Sequence, residues 1–139
     1  LDDAVIALIG GNADVNLTAT GGWTPLMMAG QNGNVEVCKA LLDKGADVNA
    51  KTEKGGTTAL VDSCYNGRTE VVKLLLEHGV KDLNAADDYG DTAIACAVSS
   101  GHTSVLKLLI DAKADVNKAN NKKRVLSRFM RYWGGATDV

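Results

Sequence analysis

Gly22–Asn34 reads Gly-Trp-Thr-Pro-Leu-Met-Met-Ala-Gly-Gln-Asn-Gly-Asn, and this stretch decides the fold because its pattern recurs. Its threonine, Thr24, returns in two equal steps as Thr58 and Thr92. The asparagines of a second signature, close to Ala-Asp-Val-Asn, keep nearly the same spacing: Asn16, Asn49, Asn84 and Asn117. A fixed period of this size predicts a solenoid of stacked repeats.

Each repeat reads as two helices. Thr24 is a predicted N-cap, and Pro25 follows at the first helical position, where its missing N–H costs nothing. Gly33 ends this first helix in the position that favours a left-handed residue. A second helix follows at once, with an apolar face over Val37–Leu42, and ends at Gly45. The unit is therefore a helix, a tight turn, a helix and an extended loop.

These features resemble the ankyrin-repeat family over nearly the whole chain. The matching motifs are the Thr-Pro-Leu-x-x-Ala core, the glycine after the first helix, the Val-x-x-Leu-Leu second helix and the Gly-Ala-Asp-Val-Asn ending. The resemblance implies an all-α solenoid of helix-turn-helix repeats with short β-hairpin loops. Met27, Val61 and Ala95 stand where the family usually has a histidine that ties neighbouring loops, so we expect weaker hydrogen bonding between loops.

We expect one domain over residues 1–139, and the repeats divide it. The predicted parts are the second half of a repeat (1–19), three repeats (20–52, 53–86 and 87–119) and a divergent half-repeat or C-terminal cap (120–139). The sequence starts inside a predicted second helix and reads as a piece of a longer protein. We therefore expect exposed apolar faces at the open repeat ends, which would allow weak self-association.

Several positions depart from the repeat. Asn12 and Lys113 take the place of the glycine that ends a second helix, which predicts a left-handed backbone at both. The loop tip Glu53–Gly56 is enlarged by one residue. The exit Gly79–Asp82 is also one residue longer than its counterpart at Gly45, and we expect a bulge there.

Composition excludes some classes of protein. The sequence contains no run of about 18 apolar residues, so no membrane-spanning helix is predicted. Cys38, Cys64 and Cys96 have no metal-ligand spacing, and reduced thiols on helices point to an intracellular protein. The formal net charge of −2 is uneven. Residues 1–117 carry nine Lys/Arg against sixteen Asp/Glu, whereas residues 118–139 carry six against one.

Catalysis has little support in the sequence. His78 and His102 each fall near a helix end, where we expect capping and contact with carbonyl groups. Cys96 and His102 would make a nucleophilic pair only with a pocket and an orienting acid, and nothing supplies them. We expect no catalytic residues, no metal site, no cofactor and no enzyme activity.

The family resemblance implies that a partner is bound through loop tips and the outward side of the first helices. The corresponding positions here are Trp23, Met27, Met28, Gln31, Asn32, Lys54, Thr57, Asp62, Tyr65, Asn66, Tyr89, Asp91 and Ser99. Trp23 is the most informative, because tryptophan and tyrosine are favoured anchors in interfaces. The alternative is that Trp23 packs only on its own repeat.

An acidic groove is a second expectation for this surface. Asp62, Asp87, Asp88 and Asp91 would favour a partner with a basic segment, although ordinary solvated carboxylates give the same pattern.

The C-terminal segment has a basic face, formed by Lys122, Lys123, Arg124, Arg128 and Arg131. It is either a solvated face of a cap helix or a patch for an anion, an acidic protein or nucleic acid. The pairs Leu8/Asn16, Leu41/Asn49 and Leu109/Asn117 also resemble substrates of an asparaginyl hydroxylase. The alternative for these asparagines is hydrogen bonding to the turn backbone.

The sequence thus predicts a protein–protein interaction module, a scaffold or adaptor that binds a protein partner through its concave face and hairpin tips. One alternative is a regulatory or targeting domain of a larger enzyme. Another is binding of acidic partners or nucleic acid through the basic C-terminal helix.

Overall fold

The computed structural model of the chain describes residues 2–116, which form seven short helices. They are α1 (Asp2–Gly10), α2 (Pro25–Asn32), α3 (Val35–Asp43), α4 (Ala59–Tyr65), α5 (Thr69–Glu77), α6 (Ala93–Ser99) and α7 (Thr103–Asp111). With lengths of seven to nine residues, none of these helices has the length and apolar character needed to cross a membrane.

The helices pack in two rows. The first helices of the repeats, α2, α4 and α6, lie side by side, and the second helices α1, α3, α5 and α7 form the other row. Each first helix also packs against the second helix that follows it. The core lies between the rows and includes Leu26, Leu41, Leu75, Ile94 and Leu109, all at most 2% exposed. This arrangement confirms the predicted all-α solenoid.

The threonine caps are as the sequence predicts. The Oγ1 atoms of Thr24, Thr58 and Thr92 each accept a hydrogen bond at 3.2 Å from the backbone N–H three residues later. Each threonine has an extended backbone, as an N-cap requires. The repeat period therefore sets the start of every complete first helix.

The loops between repeats are closed by short-range hydrogen bonds of the backbone. Ala19 N–H donates to the carbonyl of Trp23 at 2.8 Å, and Asp87 N–H donates to the carbonyl of Asp91 at 2.9 Å. Only the first of these pairs forms an isolated antiparallel bridge, and residues 2–116 contain no strand. The expected β-hairpins are thus reduced to hairpin-like turns, because each loop is too short for a ladder.

Neighbouring loops are joined through the main chain. Glu53 N–H donates to the carbonyl of Gly21, and Asp88 N–H donates to that of Gly55, both at 2.9 Å. At the family's histidine position, Met27, Val61 and Ala95 are buried in the core.

Asparagine side chains fasten the other end of each repeat to the next one. Asn16 donates from Nδ2 to the carbonyl of Gly45 at 3.2 Å, and its Oδ1 accepts from Asp47 N–H at 2.8 Å. Asn49 repeats the pattern, with Gly79 and with Lys81 N–H. These asparagines do bond to turn backbone, but the turn belongs to the following repeat.

The irregular positions behave as the sequence indicates. Asn12 and Lys113 have left-handed backbones, with φ of 68° and 71°. At the longer exit, Gly79–Asp82, two residues make the two hydrogen bonds that Asp47 makes alone in the preceding repeat. Lys81 supplies the N–H for the preceding asparagine, and the Asp82 carboxylate accepts from Asn84 N–H at 2.9 Å. The extra residue, which was expected to form a bulge, therefore separates two hydrogen bonds that a single aspartate makes in the preceding repeat.

Candidate protein-binding surface

The loop tips and the outward side of α2, α4 and α6 form one continuous row, which we call the recognition surface. Of the side chains predicted to lie on it, five are exposed: Met28, Gln31, Asn32, Lys54 and Tyr89. Five are partly buried: Trp23, Thr57, Tyr65, Asn66 and Ser99. Ten of the thirteen predicted side chains are therefore at least partly accessible to a partner.

Three residues that were predicted to contact a partner are buried, so the prediction that they are exposed is wrong. Met27 and Asp91 are each only 1% exposed, and Asp62 is 8% exposed. Met27 belongs to the hydrophobic core. Asp62 lies on α4, which packs against both α2 and α6. Asp91 lies beneath its own loop, where its N–H bonds to Asp87 Oδ1. The side chains of these three residues therefore lie beneath the recognition surface and add almost nothing to its exposed area.

Two aromatic residues are anchored in the core and reach the surface. Trp23 and Tyr65 both pack against the buried apolar cluster and keep part of their side chains exposed. Of the two interpretations of Trp23, packing on the protein is therefore present, and an exposed portion remains for a partner. Side chains held in this way lose little conformational freedom when a partner binds.

The loop tips pack closely because glycines, which have no side chain, lie where one tip touches the next. A β-carbon on Gly55 would lie 3.3 Å from Cε2 of Tyr89, and one on Gly56 would lie 2.7 Å from Asp88 Oδ1. Tyr89, which is 47% exposed, therefore rests on the preceding tip. This contact between tips could not be read from the sequence, because it depends on how two loops lie against each other.

The acidic groove is smaller than the sequence suggests. Asp62, Asp87 and Asp91 are buried, and only Asp88 of the four predicted carboxylates is exposed. Asp87 Oδ1 accepts hydrogen bonds from Tyr89 N–H at 3.0 Å and Asp91 N–H at 2.8 Å, so this residue holds its loop in shape. Glu53, which is not among the predicted binding residues, is exposed on the neighbouring tip.

A second row of contacts holds the helix ends of the recognition surface. His102 donates from Nε2 to the carbonyl of Tyr65 at 3.0 Å, which confirms the expected carbonyl contact. Arg68 occupies the same position one repeat earlier and donates from Nε to the carbonyl of Gln31, also at 3.0 Å. His78 likewise contacts the carbonyl of Leu74 through Nδ1 at 2.8 Å.

The thiols show no sign of activation. Cys96 is fully buried, and His102 is engaged with a backbone carbonyl. Burial raises the pKa of the Cys64 thiol, and neighbouring Cys96 raises it further. A reactive cysteine needs a lowered pKa and access to solvent. Within residues 2–116, no three His, Cys, Asp or Glu side chains are grouped so as to hold a metal ion.

Part of the sequence-based prediction lies outside the described residues. This is true of the C-terminal cap, 120–139, and of the basic patch Lys122, Lys123, Arg124, Arg128 and Arg131, as well as of Asn117.

Comparison with known proteins identifies the repeat. A family profile described as "Ankyrin repeats (3 copies)" matches residues 50–120, and one described as "Ankyrin repeat" matches residues 21–53. The chain is also 50% identical over 48 residues to the Ankyrin repeat and KH domain-containing protein mask of Drosophila melanogaster. That similarity covers 34% of the chain and 1% of the much longer fly protein.

Proposed function

Because the chain belongs to the ankyrin-repeat family, whose repeats are generally protein–protein interaction modules, we propose that its recognition surface binds a protein partner. In this proposal the chain is a scaffold or adaptor module that acts inside the cell and has no catalytic activity and no cofactor. Such repeat domains are typically non-catalytic, which agrees with thiols whose pKa is raised by burial.

The observation that carries the proposal is the row of anchored aromatic side chains. Trp23 and Tyr65 are fixed against the core, and Tyr89 rests on Gly55, so their exposed parts keep defined positions. Rigid aromatic groups surrounded by polar side chains are the usual centres of binding energy in interfaces. Gln31, Asn32 and Asn66 are polar residues predicted for the same surface, and each is at least partly exposed.

The charge on the exposed tips favours a partner with basic residues near its contact. Glu53 and Asp88 are exposed on successive tips, and Lys54 is exposed next to Glu53 in the sequence. This balance gives a mildly acidic rim, which would influence the rate of association and the choice of partner more than the affinity.

The experiment uses surface variants that leave the core intact. The chain is used as bait for a lysate of its source cells, and captured proteins are identified by mass spectrometry for wild type, Tyr89→Ala and Ile110→Ala. Ile110 is the matched control, because its side chain is 46% exposed but lies on α7 in the other row. A partner captured by wild type and Ile110→Ala but lost with Tyr89→Ala would support the proposal.

The captured partner is then purified and titrated. We expect Tyr89→Ala to weaken binding at least about tenfold, the effect of a moderate interface anchor. Equal affinities for the two variants would overturn the proposal that this surface is the binding site. Unchanged circular dichroism would show that each variant is folded.

A further inference from the structure

A cavity of about 240 Å³ lies at the start of α4, between two successive exits, the segments that follow the second helices. We call it the exit cavity. Three segments contribute most of its lining: residues 48–51 at one exit, residues 58–61 at the start of α4, and residues 80–85 at the next exit. These segments lie in the middle of the described range, with helices on both sides, so the cavity does not depend on where that range begins or ends.

Two departures from the repeat coincide at the exit cavity. Val61, which lines it, stands where the preceding repeat has Met27, whose longer side chain is buried in the core. The exit Gly79–Asp82, one residue longer than its counterpart at Gly45, supplies three further lining residues. A shorter side chain on one wall and a longer main chain on another both leave space. The cavity is therefore a local feature of this pair of repeats.

The inner walls of the exit cavity are apolar. Val48, Leu60 and Val61 are each at most 6% exposed, and Ala93 on α6 is 1% exposed. A cavity of about 150 Å³ lined by aliphatic and aromatic side chains stays dry and binds benzene. By the same scale, the exit cavity has room for roughly eight to ten non-hydrogen atoms of an apolar ligand.

The polar side chains within the lining are already engaged. Thr58 Oγ1 accepts a hydrogen bond from Val61 N–H at 3.2 Å. Asn49 Oδ1 accepts from Lys81 N–H at 2.9 Å, and its Nδ2 donates to the carbonyl of Gly79 at 3.4 Å. These groups fix the two exits, so the inner part of the cavity favours a hydrocarbon group.

The charged lining residues are positive in sum. Lys51, Lys81 and Asp82 line the cavity and are exposed, so they mark its rim. The Asp82 carboxylate accepts a hydrogen bond from Asn84 N–H at 2.9 Å. Within residues 2–116, no ion pair involves either lysine. Two lysines against one aspartate leave a formal charge of +1, which favours a ligand with a single negative charge.

We propose that the exit cavity binds a small aliphatic carboxylate. Its hydrocarbon chain lies against Val48, Leu60 and Val61, where burial of apolar surface stabilises the complex. Its carboxylate lies at the rim, where Lys51 and Lys81 supply the opposite charge and charge-assisted hydrogen bonds. None of these residues belongs to the recognition surface, so the site is separate from the one proposed for a protein partner.

Hexanoate is the probe for this site, because its size suits the cavity and it carries one negative charge. Sodium hexanoate is titrated into the isotope-labelled chain at constant ionic strength, and amide chemical shifts are followed. We expect saturable shifts confined to the three lining segments and Ala93. The expected Kd is on the order of 1 mM, because so small a ligand makes few contacts.

A neutral ligand of the same shape tests the role of charge. Hexanamide should bind wild type at least about fivefold more weakly than hexanoate, because its hydrogen bonds to the lysines lack the negative charge. In the double variant Lys51→Gln/Lys81→Gln, the two ligands should bind with equal affinity.

A matched pair of substitutions tests the place of binding. Val61→Met puts into the cavity the side chain that the preceding repeat buries at this position, and should weaken hexanoate binding at least about tenfold. Val98→Met is the same change at a side chain 48% exposed on α6, and should bind as wild type does. Unchanged amide spectra outside the cavity would show that each variant is folded. The hexanamide comparison uses wild type and does not depend on the folding of a variant.

Three results would overturn the proposal. One is the absence of saturable shifts at about 50 mM hexanoate, far above the expected Kd. Another is equal binding of hexanoate to the Val61→Met and Val98→Met variants. The third is equal affinity of wild type for hexanoate and hexanamide, since the site would then not select a carboxylate. None of these results affects the Tyr89 comparison, so the two proposals fail separately.

Discussion

Gly67 and Gly45 have similar left-handed backbones, with φ of 69° and 87°, but different surroundings. A β-carbon on Gly67 would lie 2.6 Å from the ring of His102, whereas one on Gly45 would meet nothing within 4 Å. A comparison of the two glycines therefore separates the cost of a left-handed backbone from the cost of a β-carbon that has no room. At Gly67 the missing side chain is what allows His102 to reach the carbonyl of Tyr65.

Alanine at these two glycines should have unequal effects. Gly45→Ala should lower the free energy of unfolding by about 1 kcal/mol, the cost of a left-handed residue with a β-carbon. Gly67→Ala should lower it by about 2–3 kcal/mol, because the imidazole must also move and its hydrogen bond weakens. Urea denaturation of both variants measures the difference, and equal losses would contradict the close contact with His102.

The buried thiol of Cys38 should make stability depend on alkaline pH. Burial raises its pKa from 9.0 to about 11. The unfolded chain therefore ionises first, and the stability due to this thiol is complete below pH 9 and is lost as the pH rises towards 11. Between pH 8 and 10.5, wild type should lose about 2 kcal/mol more than Cys38→Ala.

Denaturation curves at these pH values check this expectation. Cys64 is present in both proteins, so the contribution of its raised pKa cancels. Parallel losses in the two proteins would mean that Cys38 ionises equally well in the folded and unfolded states.

At the scale of the element, two rows of polar links join successive repeats. On the exit side, Asn16 and Asn49 bond to the backbone of the following repeat. On the helix-end side, Arg68 and His102 reach back to the carbonyl groups of the preceding repeat. The helices are too short to be stable alone, so these links and the apolar faces between them hold each repeat in register.

The exit links can be tested with two asparagines that bond to different parts of the chain. Asn49→Ala removes one bond to Gly79 and one from Lys81, both in the next repeat, and should cost about 1–3 kcal/mol. Asn66→Ala removes a bond to the carbonyl of Asp62, in the helix that Asn66 directly follows, and should cost less than about 1 kcal/mol. Urea denaturation gives both values, and a larger loss for Asn66→Ala would contradict this order.

At the scale of the whole molecule, the main contacts between the helices of residues 2–116 lie within one repeat or between neighbouring repeats. The helices α4 and α5 have neighbours on both sides within residues 2–116, whereas α1, the first helix of this range, packs against α3 on one side. In such a one-dimensional array, stability is a sum of repeat and interface contributions.

Hydrogen exchange should follow this order along the chain. We expect the amides of α4 and α5 to exchange most slowly and those of α1 fastest, because opening α1 disrupts fewer interfaces. Mass spectrometry of peptides after exchange measures the gradient. Equal protection of all seven helices would show instead that the stack opens only as a whole.

The sequence predicted those features that depend on position within a repeat. The threonine caps, the left-handed Asn12 and Lys113 and the order of helices follow from local chemistry and the repeat period. Their interactions are made within a few residues, so one repeat is enough to infer them.

The features that the sequence did not predict depend on contacts between repeats. The burial of Met27 on α2 and of Asp62 on α4 depends on how these two helices pack against each other. Arg68 makes the same kind of contact as His102, but its side chain does not resemble a histidine, so nothing in the sequence indicated it. The same limit applies to Tyr89, whose ring rests on a glycine in another loop. Which candidate residues reach a partner is still a proposal, because a repeat period says nothing about the shape of what binds to it.

The two rows of links have a mechanical consequence. A tension applied along the stack would load each repeat interface in series, so every interface would carry the same force and the weakest would part first. Because Arg68 and Asn49 lie at opposite ends of their repeats, an interface pulled off-axis would open from one edge like a hinge. The chain would then lengthen in steps of about one repeat and shorten again as each pair of edges closed.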